Sequence, residues 1–147
     1  MLLETLIKLF KRDLNKLKGE IGLYKDETNL WLVHKDITNS AGNLCLHLVG
    51  NLNAFIGTEL GHTGYIRQRN LEFSLKDIPR AELLKKVDDT IIMVENVLKK
   101  LATKDLAKNF PIDVFKKKMT TEFFLVHLST HLTYHLGQIN YHRRLLD

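Results

Sequence analysis

Four histidines, His127, His131, His135 and His142, recur along one leucine-rich run, HLSTHLTYHLGQINYH. Successive i, i+4 positions on an α-helix lie one turn apart on the same face, so these imidazoles form a stripe. Imidazole is the commonest metal-ligating side chain, and two of them four residues apart can reach one ion, as in the HExxH motif. Here Leu128 stands where that motif has Glu, which removes the metalloprotease reading. What remains is a His-x3-His half-site in need of a third ligand.

The best third ligand is His47, which lies between Asn43 and Asn51, each one turn away, beside the apolar positions Leu44, Leu48 and Leu52. Cys45 points roughly 160° round the helix from His47 and is a poor co-ligand. His34 and His62 fall in expected loops and are read as exposed or structural.

Periodicity supplies four long amphipathic helices to carry these residues, and almost no strand signal. Leu3, Leu6, Phe10, Leu14, Leu17 and Ile21 step by three and four until Gly19 and Gly22 weaken the first helix. The second begins near the caps Thr38 to Ser40, carries Leu44, Leu48, Leu52, Phe55 and Ile56, and is expected to stop at Gly57 and Gly61. An irregular segment follows, Gly61 to Ile78. A third helix starts around Pro79 with Leu84, Val87, Ile91, Val94, Leu98 and Leu101 at heptad spacing, and a fourth runs from about Thr121 to Leu146. The expectation is an all-α chain with one domain over 1–147, folded as an antiparallel four-helix bundle.

Depth along the bundle selects the histidines. At ~1.5 Å per residue, His127 and His135 are about 12 Å apart, too far to share an ion. The segment after helix two can run back along the bundle at up to roughly 3.3 Å per residue. That permits an up-down-down-up order with a long crossover between helices two and three, and makes helices two and four antiparallel. His131 and His135 then come level with His47, whereas parallel helices would favour His127 with His131.

A net charge of +5 could suit an anionic partner, but the lysines are dispersed among Asp and Glu, so no nucleic-acid partner is expected. The Lys116 to Lys118 run is read as solvated, as are Tyr65, Arg67 and Arg69, although these three could contact an acidic substrate. One cysteine, Cys45, excludes an internal disulfide and suits a cytoplasmic location. Nothing approaches the ~20 apolar residues of a membrane span, so no membrane partner is expected either.

His47, the segment HLTYHLGQI and the spacing of four helices around them resemble the DinB/YfiT-like superfamily of metal-binding bundles. The likeness extends to an uncharacterised subgroup through WLVHKDITNSAGNLCLHLVGNLNAFIG, TGYIRQRNLEFS and FFLVHLSTHLTYHLGQINYHRRLL. The resemblance implies a divalent metal on His47, His131 and His135, and a homodimer. It also implies a relationship to enzymes that use low-molecular-weight thiols, such as mycothiol-dependent maleylpyruvate isomerase and bacillithiol S-transferase. This sequence has Leu136 where the superfamily often has Arg before Gly-Gln, which weakens any transfer of anion-binding detail.

Three neutral imidazoles leave a tetrahedral ion one position short, where water or a substrate thiolate can bind. No carboxylate lies on either histidine stripe, so Asn43, Asn51, His127, Tyr134 and Gln138 are the candidates for outer contacts or substrate contacts. The lack of paired Glu-x-x-His motifs argues against a di-iron bundle. The reading is a metal-dependent enzyme, a thiol S-transferase or hydrolase acting on a small molecule, with zinc, nickel or iron as the metal. The alternative is a non-catalytic dimeric bundle serving as a structural or interaction module, for which a closed, dry core of histidines bonded to one another would speak.

Overall fold

A computed structural model describes residues 1–147. The chain is all-helical, with six helices: α1 (Leu2–Leu23), α2 (Ala41–Leu52), α3 (Arg69–Ser74), α4 (Arg80–Lys100), α5 (Thr103–Leu106) and α6 (Thr121–Leu146). A 3-10 turn, Glu27–Trp31, lies between α1 and α2. There are no strands, only the isolated bridges His34–Ile37 and Asn109–Thr120. No helix is long and apolar enough to cross a membrane.

Helix α2 lies in the middle. All twelve of its residues are buried, so it is enclosed on every side, against α3, α4, α6 and the 3-10 turn. Ser40 starts it by accepting a hydrogen bond from the Asn43 backbone N–H. Its close neighbours include Trp31, whose ring lies where a Cβ on Gly42 would stand 2.7 Å away. The helical run ends at Thr58, between the expected stops Gly57 and Gly61, but its last stretch is not α-helical. The helix continues as a π-helical turn over Asn53–Thr58, in which Glu59 N–H bonds to the Ala54 carbonyl five residues back.

Side-chain pairs fix the helix directions. Lys11 with Glu95, Lys18 with Asp88, and the Arg80 guanidinium on the Gly22 carbonyl set α1 antiparallel to α4. Thr133 on Asp13, and Asn140 and Arg143 on Glu20, set α1 parallel to α6. Asn53 on Thr90 and Gly61 against Val97 set the α2 segment parallel to α4. His47 beside His131 and Phe55 beside Phe124 set α2 antiparallel to α6. One cluster of 30 buried apolar residues joins all four long helices.

Helix α4 departs from the expected heptad. Its buried face is Leu83, Val87, Thr90, Val94, Val97 and Leu98, while Leu84, Ile91 and Leu101 are only partly buried. The stripe is shifted because Thr90 can be buried: its hydroxyl donates to the Lys86 carbonyl and accepts from Asn53 Nδ2. The segment Gly61 to Ile78 likewise holds more order than expected, since it contains α3 and delivers Glu72 to the interior.

Candidate metal centre

An enclosed helix must satisfy every polar side chain it carries, because a buried polar group without a partner is costly. Helix α2 carries three on one stripe. Asn43 accepts from Ser40 Oγ at 2.7 Å and Lys76 Nζ at 2.5 Å, and donates through Nδ2 to the backbone carbonyls of Glu72 at 2.9 Å and Leu75 at 2.8 Å. It therefore fastens the C-terminal end of α3, the helix that carries Glu72. His47 is met by that residue. Asn51 is met by nothing in the chain, and its Oδ1 is buried without a partner.

Glu72 is 6 % exposed and approaches α2 at Gly50, where a Cβ would stand 1.9 Å from Oε2. Only glycine leaves room for the carboxylate in that place. His47 donates from Nδ1 to Oε1 at 3.0 Å, and Arg67 donates from Nε to Oε2 and from Nη2 to Oε1, each at 2.9 Å. Burial pushes the Glu72 pKa up, but the hydrogen bonds from His47 and Arg67 outweigh it and hold the carboxyl below its ordinary value. An ionised carboxylate only accepts, so the His47 proton sits on Nδ1 and the lone pair on Nε2.

The same arrangement recurs on α6. His135 donates from Nδ1 to Gln138 Oε1 at 2.6 Å, which turns its Nε2 inward. His131 Nε2 lies 3.3 Å from His47 Nε2 and 3.1 Å from His135 Nε2. His47, His131 and His135 thus form a group in which one ligand atom from each lies within 4.8 Å of the others, and this group could hold a metal ion. Two bonds of ~2.0–2.1 Å at the tetrahedral angle separate their nitrogens by roughly 3.3–3.4 Å, so the two short separations match a shared ion. Burial, then the neighbouring His135 and His47, push the His131 pKa down to about 4. Burial likewise lowers His135, against the opposing hydrogen bond with Gln138. Both are neutral at pH 7, the form that coordinates. The donor set fits a divalent ion.

The remaining candidates fall around this group. His127 packs nearly parallel to Phe124 and His131, at 5.7 and 6.2 Å between ring centroids, and lines a cavity of about 410 Å³ beside the cluster with His47, His131 and Asn51. Tyr134 is exposed and meets only the edge of His135, with centroids 5.4 Å apart. His142 is two turns beyond His135, buried, and bonded to Tyr24 and the Leu32 carbonyl, so it belongs to the scaffold. His34 and His62 are exposed. Sequence reasoning missed Glu72 and left Arg67 in solvent, whereas its side chain is 17 % exposed and pairs with Glu72. Neither lies on a periodic stripe, so no spacing signal marks them.

A family model described as a protein of unknown function (DUF1572) matches residues 2–147. The chain belongs to that family. Because the match spans His47, Glu72, His131 and His135 together, the cluster and the segment that supplies its carboxylate lie within one family unit. No curated protein matches this family member.

Proposed function

We propose that the chain is a DinB-like divalent-metal protein with an up-down-down-up four-helix bundle over 1–147, acting as a metal-dependent thiol S-transferase or hydrolase on a small molecule. The observation that carries it is the convergence of three Nε2 atoms, two of them backed by an acceptor on Nδ1. A divalent ion bound there supplies Lewis-acid chemistry at an oxygen or sulfur of the substrate. His47, His131 and His135 hold that ion, and Glu72 and Gln138 orient two of the rings. Arg67 keeps Glu72 ionised. The carboxylate lies behind His47 and is spent on Arg67 and the imidazole, so no free carboxylate is left at the cluster for general-base work.

The reading includes a cytoplasmic homodimer. Phe123, Tyr134, Tyr141 and Leu145 support the dimer, since they leave large apolar surface exposed along α6. A low-molecular-weight thiol is the co-substrate suggested by the superfamily likeness alone. The competing reading, an interaction module with a histidine core, has one observation behind it: the Nε2 separations also lie within hydrogen-bonding range. Against it, one proton on His131 Nε2 must serve two lone pairs, and the cluster borders an open cavity in place of a closed core.

The deciding experiment is elemental analysis of protein purified without an affinity tag, beside His47→Ala and His131→Ala. One divalent ion per chain, lost in both variants, is the expected result. Full occupancy in both variants sinks the assignment.

A further inference from the structure

The cavity beside the histidines has a chemistry of its own. It is about 410 Å³, the scale of a small-molecule site, and Arg67, Arg69, Asn51, Phe55, Phe115 and Phe124 contribute to its lining. Arg67 uses Nε and Nη2 on Glu72, and its Nη1 has no partner in the chain. Arg69 makes no ion pair; its guanidinium rests 5.2 Å from the centroid of the Phe73 ring. Asn51 is 7 % exposed and makes no side-chain hydrogen bond, with Oδ1 wholly buried. The apolar wall is aromatic, with Phe55 edge-on to Phe124 at 5.0 Å between centroids and Phe115 at 6.3 Å from Phe124.

We propose that this cavity binds a small hydroxy-carboxylate with a ring-sized apolar body, the carboxylate on Arg69 and Arg67, the hydroxyl on Asn51, and the body against the phenylalanines. Each part answers an unspent group. Guanidinium N–H groups are shaped for carboxylate oxygens, and one of the two here carries no counter-charge. Asn51 Oδ1 is sealed from the cavity, so the end of this unpartnered amide left accessible is Nδ2, a donor that selects for a ligand carrying an acceptor oxygen such as a hydroxyl. The phenylalanine edges and faces accept a flat ring in offset or edge-on contact. The assignment deepens the metal-centre reading by naming the substrate class, but the binding itself needs no ion.

Calorimetric titration of the full chain, metal-loaded and metal-stripped, with 3-phenyllactate, 3-phenylpropionate and 3-phenyllactamide tests it. The expected order is phenyllactate tightest, with the other two at least tenfold weaker, in both metal states. Arg69→Gln, a change at an exposed position, costs phenyllactate at least tenfold and brings it level with the amide. Asn51→Leu abolishes the preference for phenyllactate over phenylpropionate, with circular dichroism confirming that the variant is folded. Equal binding of acid and amide overturns the proposal, as does an absence of binding to the unaltered protein. Binding that survives both substitutions but vanishes on chelation also overturns it, because the hydroxy acid is then only chelating the ion. A chain that holds no metal yet discriminates these ligands as described supports the subsite and sinks the metal-centre reading.

Discussion

The carboxylate of Glu72 stands 3.0 Å from Nδ1 of His47, on the side of the ring opposite the nitrogen that faces His131. A histidine held this way is fixed in tautomer and orientation before any ion arrives, with the Nε2 lone pair turned toward His131.

Removing that charge weakens the centre without dismantling it. Glu72→Gln keeps the shape and an acceptor and lowers metal affinity about tenfold; Glu72→Ala lowers it by up to about a hundredfold. Competition against a chelator of known affinity gives the ratio. Unchanged affinity in Glu72→Ala shows that the carboxylate does no more than neutralise Arg67.

Gly50→Ala reaches the same centre from one turn further along the His47 face of α2. Its Cβ would lie 1.9 Å from Glu72 Oε2 and 2.6 Å from Cδ, so the carboxylate must swing away from His47 and Arg67. Metal affinity is expected to fall by about as much as in Glu72→Ala, roughly tenfold to a hundredfold. The double variant Gly50→Ala, Glu72→Ala is then no weaker than either single, because both act through one contact. Additive losses in the double variant refute that route.

Gly42→Ala is a stability change remote from the cluster. The new methyl meets three ring atoms of Trp31 at 2.7 to 2.8 Å, and a buried indole cannot step aside as a flexible chain end can. Overpacking of this kind costs about 1–3 kcal/mol. Urea unfolding at pH 7.5 measures it, with metal content per folded chain unaltered.

Acid destabilises the metal-stripped chain through its buried histidines. Burial holds the His142 pKa below its ordinary 6.5, outweighing the hydrogen bond to the Leu32 carbonyl, and His131 and His135 are lowered in the same direction. The unfolded chain therefore binds more protons below pH 6.5, and stability that is complete above that value is lost as the pH falls beneath it. The slope is at most about 1.4 kcal/mol per pH unit for each histidine. His142→Gln should remove one such contribution when urea midpoints at pH 7.5 and 5.5 are compared. An unchanged difference shows that His142 takes no part.

Much of this was legible in the residues. The i, i+4 spacing of His131 and His135 depends on helix geometry alone, the register of His47 across from them also needed the antiparallel order that the long segment after helix two permits, and α6 starts and ends where its caps and periodicity place it. Val87, Val94 and Leu98 of the expected α4 stripe are buried, but Leu83, Thr90 and Val97 complete that face, and Thr90 can do so because a threonine with two internal partners can be buried as well as a leucine. The π-helical form of Asn53–Thr58 was not legible, since a π-helical turn has no compositional mark. Glu72 was invisible for a deeper reason. Its value to the site comes from where an irregular segment crosses a helix, and that crossing depends on Asn43 catching two backbone carbonyls and on Gly50 having no side chain. Neither Asn43 nor Gly50 advertises such a duty when read along the chain.

Helix α3 is six residues long and is tied to α2 through Asn43, His47 and Gly50, so opening it disrupts far less of the core than unfolding any of the long helices. The orientation of one ligand imidazole is thereby tied to a six-residue helix and not to one of the long ones. Exchange of a captured ion with the surroundings would then keep time with the breathing of this small helix, and the centre's lability would be set some distance from the atoms that do the gripping.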